Sequence, residues 1–464
     1  MNQPAHSNTR SVWTLIKDAL RGEEHDYTQG SLKKAIFLLA IPMILEMMME
    51  SVFAVVDIYF VGKLGKEAIN TVILTESVLT LLYSAAMAFS IGATAMVARR
   101  VGEKNFTEAA RTGAQAIGLG IVSAIVIGVA GAIGAKQILE AMGASAEVLA
   151  VGIPYTRIMF GSSLVIVLLF LINGVFRGAG NAAIAMRSLW LANGLNIVLC
   201  PVFIHFYGLT GAALATSIGR GAGVLYQLYH LFKGSKSLTL VAAHFRVHWE
   251  TIKGLFKISW VGFVQFAIAS ASWIVLARIM TSFHNDAAVA GYGVAIRIVM
   301  FFLLPAWGMS NAAATLVGQN LGAGQPARAE ESVLKTAKYN AILMGSVMFI
   351  FIVFAKYIVG FINKDEAIEL YAVQALQVIS MGYVFYGVGM VMANAFNGAG
   401  DTTTPTVINF FGFWLFQIPL AYTLAVVMQF GPLGVFIAIP VAETAIAIVA
   451  FIFFKKGKWK LQKV

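Results

Sequence analysis

Charge is what this sequence has least of. Of its 464 residues only 12% are Asp, Glu, Lys or Arg, while 59% are hydrophobic. A soluble domain carries ~25% charged and ~45–50% apolar residues. Half the usual charge cannot coat a soluble protein of this size, and that class is excluded. Cysteine is nearly missing: Cys200 stands alone, so no intrachain disulfide framework exists. The seven histidines are scattered, with no HExxH and no zinc-ligand spacing, so an intramembrane metalloenzyme finds no constellation. The residue-by-residue alternation of a membrane barrel's strands is absent. The Gly-rich GAGN at 178–181 lacks the Lys-Ser/Thr of a phosphate loop.

What is present is apolar sequence in long runs. Each is about 20 residues or more, the length that crosses ~30 Å of hydrocarbon. The runs predict an all-α polytopic membrane protein. Its spans lie near 33–60, 69–98, 112–134, 148–176, 183–206, 211–232, 253–282, 287–319, 335–362, 367–396, 404–428 and 432–454. Ahead of them, residues 11–21 put Val12, Leu15, Ile16, Ala19 and Leu20 on one stripe, beside Trp13 and Lys17, as a surface-lying helix would. The first 30 residues are polar, mixed in charge and without a cleavable signal pattern.

The net charge of +11 reports orientation rather than nucleic-acid binding, because the cations sit in alternate loops. Arg99, Arg100, Lys104, Arg111, Arg177, Arg187, Lys233, Lys236, Arg246, Lys253, Arg328, Lys335 and Lys338 fall on the side of the N-terminus. The basic tail from Lys455 joins them. Lys63, Lys66, Lys136, Lys356 and Lys364 fall on the other side. The bias predicts an inner (plasma) membrane protein with both termini cytoplasmic. The expected organisation is a cytoplasmic segment at 1–30, an N-lobe at 31–232, a linker at 233–252, a C-lobe at 253–454 and a tail at 455–464.

The two halves repeat. VFRGAGNAAIAM (175–186) matches AFNGAGDTTTPT (395–406), with Phe176 on Phe396 at 396 − 176 = 220. VARRVGEKN (97–105) matches VGQNLGAGQ (317–325) at 317 − 97 = 220. Pro201 matches Pro419 at 419 − 201 = 218, and GLTGAALA (208–215) matches GPLGVFIA (431–438) at 431 − 208 = 223. A duplicated unit with an even number of spans gives two parallel copies, related by an axis along the membrane normal. Transporters built this way bind substrate between the halves.

The first span, from Pro42 to Gly65, carries Glu46, Glu50 and Asp57. An acid near the middle of a spanning helix costs ~2.5–3.5 kcal/mol and is by default a functional residue. Glu46 lies near the entry, where it can snorkel to water. Glu50 and Asp57 are two turns apart on one face, and Asp57, deep in the run, is the candidate that binds and releases the driving cation. Glu50 and Glu76 are candidate cavity acids that attract cationic substrate. Met48, with Met43, Met47 and Met49, offers a soft wall for varied ligands. Gln265 and Trp273 in the seventh span are further cavity candidates. Arg220 and Glu443 match at 443 − 220 = 223. Arg220 is expected at the cytoplasmic interface.

The pattern Pro42, Asp57, Gly62, Gly65, together with FRGAGN, FNGAGD and NIVLCP (196–201), resembles the multidrug and toxin extrusion (MATE) family, closest to its prokaryotic DinF-like branch. The resemblance covers the chain from about residue 30. It implies a V-shaped protein of two six-helix bundles, with twelve transmembrane helices. Such proteins antiport organic cations or other amphiphiles against protons or sodium, without a cofactor. The family's N-lobe cation site then falls on Asp57, Tyr155, Asn173 and Asn196. Sodium, if it is the ion, would be held by Asp57, Asn173 and Asn196; no other metal is implied. The branch's fifth-helix acid falls on Cys200, leaving that site one carboxylate. The expected partners are small amphiphilic substrates and membrane lipids, for a monomer that is not an enzyme. A flippase for a lipid-linked precursor is the alternative, and it should show several cations lining the cavity.

Overall fold

The computed structural model describes residues 12–22, 25–235 and 237–464, and every long element among them is a helix. In chain order these are α1 (Val12–Arg21), α2 (Leu32–Gly62), α3 (Lys66–Gly102), α4 (Phe106–Ile133), α5 (Ala135–Ala141), α6 (Ala146–Gly161), α7 (Ser163–Gly178), α8 (Ala182–Tyr207) and α9 (Leu209–Lys233). There follow α10 (Trp249–Thr281), α11 (Asp286–Gly322), α12 (Pro326–Ile362), α13 (Glu366–Ser380), α14 (Tyr383–Ala399), α15 (Thr403–Val427) and α16 (Pro432–Lys455). Among the described residues, nine helices are long and apolar enough to cross a bilayer. Two further spans are bent pairs, α6–α7 at 41° and α13–α14 at 56°. The twelfth is α9, whose buried Thr216, Arg220 and Gln227 make it too polar to stand out by composition.

Helix starts follow local chemistry. Asn105, Ser145, Asn181 and Asn285 each accept a backbone N–H three residues on, satisfying donors that a helix start leaves free. The two bends replace spans expected to be single. At the first, Ser162 Oγ and Ser163 Oγ donate to the carbonyls of Met159 and Phe160, competing with the backbone ladder. At the second, Gly382 passes so close to α16 that a Cβ there would stand 2.7 Å from Pro440 Cβ. The span α15 is wound in wide π turns over 410–417 and 423–427, on either side of Pro419.

Two packed bodies result. One core gathers Ala93, Ile117, Leu169 and Leu189 from α3, α4, α7 and α8. The other gathers Leu276, Tyr292, Phe351 and Phe436 from α10, α11, α12 and α16. A smaller cluster of Leu39, Met43, Met309 and Ala312 joins α2 to α11 across the seam. The duplication read from sequence recurs in the backbone. Gly180 and Gly400 share φ of 87° and 86°, and Gly208 and Gly431 share 57° and 59°. A Cβ on Gly178 would meet Thr94 O at 2.8 Å, and one on Gly398 would meet Ala314 O at 2.3 Å. Both pairs are offset by 398 − 178 = 314 − 94 = 220.

The seam is shut at the face that carries both described chain ends. There α3 crosses α11 with backbones in contact: a Cβ on Gly102 would stand 2.0 Å from Gln319 O, and one on Gly322 2.1 Å from Arg99 O. Gln319 Nε2 donates to Gly178 O at 3.0 Å, Thr315 Oγ1 to Arg177 O at 3.1 Å, and Tyr27 OH to Gly180 O at 3.2 Å. The linker after α9 is tied to α4, where Gln115 Nε2 donates to the carbonyls of His244 and Arg246 at 2.8 and 2.9 Å.

The basic tail is docked rather than trailing. Trp459, 1% exposed, stacks on Phe454 with ring centroids 4.9 Å apart, and Lys455 and Lys460 both reach Glu330. Arg100 Nη2 of the first body donates to the Val464 carbonyl at 3.0 Å, so the tail also spans the seam. Truncating a buried tryptophan costs ~3–5 kcal/mol. Trp459→Ala is therefore expected to lower the midpoint of heat-induced aggregation of the detergent-solubilised protein, while Lys458→Ala, at an exposed position, leaves it in place.

Candidate functional site

The acids of α2 face the other helices of the first body, and each meets hydrogen-bond donors. Glu46 is fully buried: Oε1 accepts from Asn173 Nδ2 of α7 at 2.9 Å and lies 3.9 Å from Arg177 Nη1. It does not snorkel, because α2 begins at Leu32, three turns or more earlier, and α7 covers it. One turn on, Glu50 Oε2 accepts from Asn193 Nδ2 of α8 at 2.9 Å, and Oε1 lies 3.4 Å from Arg220 Nη2 of α9. Asp57, half-buried, faces Cys200 of α8, whose Sγ stands 3.9 Å from Oδ1. The row therefore runs along α2 for ~16 Å, at ~1.5 Å per residue.

The amide orientations in this row are fixed by their surroundings. Asn173 Oδ1 accepts from Ser188 Oγ at 2.9 Å and from Gln227 Nε2 at 2.6 Å, so its N–H must face Glu46. Arg177 Nη2 donates to Ser90 Oγ at 2.9 Å. Arg220 is 2% exposed, not at an interface, and its guanidinium lies 5.3 to 5.7 Å from the rings of Tyr83, Phe170 and Phe53. Those faces attract a desolvated cation and hold it against Glu50. A direct bond from Arg220 to Glu443 is excluded by this pairing, since Glu443 belongs to the other body.

The hydrogen bonds divide the four expected cation ligands between two places along α2. Asn173 is engaged by Glu46, and Asn196 Nδ2 donates to Thr216 Oγ1 at 2.9 Å. Tyr155 is buried with Leu79, Phe160 and Cys200, within electrostatic reach of Asp57. Asp57 is met by the thiol of Cys200, at the position where the DinF-like branch carries a second carboxylate. Sequence reasoning passed over Asn193 and Arg220 as partners of Glu50. The available signal was their spacing: an asparagine three residues before Asn196, and a lone arginine inside an apolar run.

Between the two bodies lies a cavity of about 350 Å³, within the range of small-molecule sites. Gln265 and Trp273 line it, as do Met47, Arg177, Asn394 and Glu443. Glu50, Glu76 and Met48 do not. Glu50 is turned into the first body, and Glu76 is exposed on α3. Met48 sits one position round the helix from Met47 and is 46% exposed. Among the described residues, Arg177 is the only basic lining residue and Glu443 the only acid.

Comparison with known proteins agrees with this architecture. The MatE family model matches residues 42–202 and 262–423. The chain is 24% identical to the multidrug export protein MepA of Staphylococcus aureus strain N315, over 90% of this chain and 92% of MepA. It is 24% identical to the probable multidrug resistance protein YpnP of Bacillus subtilis strain 168, over 95% and 98% of the two chains. Among solved structures it is similar to the outward-facing conformation of a multidrug resistance MATE family transporter of the MOP superfamily. There the TM-score is 0.90, at 25% identity over 95% of this chain and 98% of that one.

Proposed function

Because this chain belongs to the MatE family, we propose that it exports organic cations and other amphiphiles across the plasma membrane in exchange for inflowing protons. The single observation that carries the choice of ion is the polarity around the α2 acids. Glu46 and Glu50 meet N–H donors and guanidinium groups, from Asn173, Asn193, Arg177 and Arg220, and Asp57 meets a thiol, from Cys200. A hard cation needs several converging oxygens, and the locked amide of Asn173 presents nitrogen instead. A proton needs one carboxyl oxygen and no cage. The charges also fit one proton: three α2 acids against two arginines leave 3 − 2 = 1 uncompensated carboxylate. Asp57, the last of the row along α2, is where that proton enters.

Alternating access follows from the same helix. α2 carries the acids and also forms the seam with α11, where Ser51 Oγ donates to Phe301 O at 3.2 Å. Pro42, inside α2, removes one ladder bond and lets the helix change its bend. Protonating the row loosens α2 from α8 and α9 and shifts it against α11. The basic face, read as cytoplasmic from its loop charge, is shut, so this conformation is the outward-facing one. The flippase alternative is disfavoured by the cavity, whose one basic side chain is already turned to Glu46 and Ser90.

The test is dye efflux from proteoliposomes. An imposed pH gradient is expected to drive export, a sodium gradient at equal pH to drive none, and Asp57→Asn to reduce pH-driven export to background. Export driven by sodium alone, or full coupling in Asp57→Asn, would sink the assignment.

A further inference from the structure

We propose that Glu443 of α16 is the anchor for the positive charge of the transported compound. This rests on the export reading above and adds to it a site in the second body. Glu443 is 7% exposed, lines the central cavity, and among the described residues is the only acid to do so. Its Oε1 has no hydrogen-bond partner among the described residues. A buried carboxylate oxygen without a partner is costly, and here it borders a space large enough for a ligand.

The repeat sharpens the point. At the local offset of 223, Glu443 occupies the place that Arg220 holds in the first body. There, Arg220 answers Glu50 within its own lobe at 3.4 Å. In the second body, α10 offers Ile268, Ala269 or Ser270 where Glu50 would fall, at offsets of 218 to 220. Among the described residues, the duplicated position thus carries a cation with a resident acid in one lobe, and an acid with no resident cation in the other. The missing positive charge is the one a substrate brings.

The walls suit an organic cation rather than a metal ion. Trp273 and Tyr386 border Glu443 in both the central cavity and the small pocket beside it. Phe266 packs on Trp307 at 5.7 Å in the same cavity. Aromatic faces with one carboxylate recognise substituted ammonium and phosphonium groups, through cation–π attraction and one ion pair. Gln265 Oε1, also buried and unpartnered, adds an acceptor for an N–H of the ligand.

The test uses the purified full-length protein and isothermal titration with tetraphenylphosphonium, a permanent monocation, and triphenylphosphine oxide, its neutral relative. Glu443→Gln is expected to weaken tetraphenylphosphonium binding by roughly tenfold to a hundredfold and to leave triphenylphosphine oxide binding within about twofold. Glu443→Asp, which keeps the charge, should retain most of the cation affinity and serves if the Gln variant does not fold. Cation binding that survives Glu443→Gln, or equal loss of both probes in a folded variant, overturns the assignment of Glu443. If the native chain binds no tetraphenylphosphonium at all, the cation-export reading falls first.

Discussion

Replacing Gly102 by valine is expected to hold the basic face open and to stop transport, with the protein still folded. The reason is geometric. At the crossing of α3 and α11 the opposing groups are backbone on both sides, and a Cβ on Gly102 would stand 2.0 Å from the Gln319 carbonyl oxygen. A flexible side chain can move away, but a helix backbone can yield only if the lobes part. Overpacking costs ~1–3 kcal/mol even where neighbours relax. Near the upper end, ~3 kcal/mol on the shut state alone shifts the balance by roughly 100-fold. Spin labels at Lys104→Cys and Gln325→Cys, on either side of the crossing, should then report a longer distance than in the native protein, in the same detergent. Gly322→Val, its partner by the repeat, should behave alike, because its Cβ would meet Arg99 O at 2.1 Å. Gly118→Val, where a side chain meets nothing within 4 Å, is the control. An unchanged distance with intact efflux in Gly102→Val would show that this crossing is not the gate.

That crossing also shows how much was legible in the sequence. The match of VARRVGEKN to VGQNLGAGQ placed Gly102 opposite Gly322 and Arg99 opposite Gln319 as equivalent positions. It could not show that the two glycines touch equivalent residues across the seam, Gly102 on Gln319 and Gly322 on Arg99, because contact across an axis is not written in an offset. The spans were readable for a simple reason: hydrocarbon thickness sets their length. Their breaks were not, since Ser162 and Gly382 act through local hydrogen bonding and close packing rather than through hydropathy. The α2 acids were visible as costly residues, but their partners were not. Glu46 looked like an entry residue by position, yet α7 covers it; only the packing of α7 and α8 reveals Asn173 and Asn193 as donors. Glu443 stood out as one acid in an apolar span, and its role depended on what the second body fails to supply.

The charge count along α2 makes the second large prediction, and it can separate a count from a privileged residue. In Glu50→Gln the row keeps two acids and two arginines, 2 − 2 = 0, so no carboxylate is left to exchange a proton. Gradient-driven export should fall to background while dye binding survives. In Arg220→Gln the imbalance becomes 3 − 1 = 2, and Glu50 loses its ion-pair partner inside the lobe. Breaking a buried pair from one side costs ~3–5 kcal/mol, so this variant should be the least stable of the set in thermal assays. The double variant Glu50→Gln, Arg220→Gln removes one charge of each sign and returns the count to 2 − 1 = 1. It is expected to regain most of the lost stability, as replaced ion pairs commonly do. It should also regain a measurable part of the pH-driven export that Glu50→Gln removes. Recovery of stability without any recovery of export would mean that Glu50 itself carries the proton. Recovery of neither would mean that Arg220 is needed for the fold of α9 against α2, and the balance of charge along the row would then have no part in coupling.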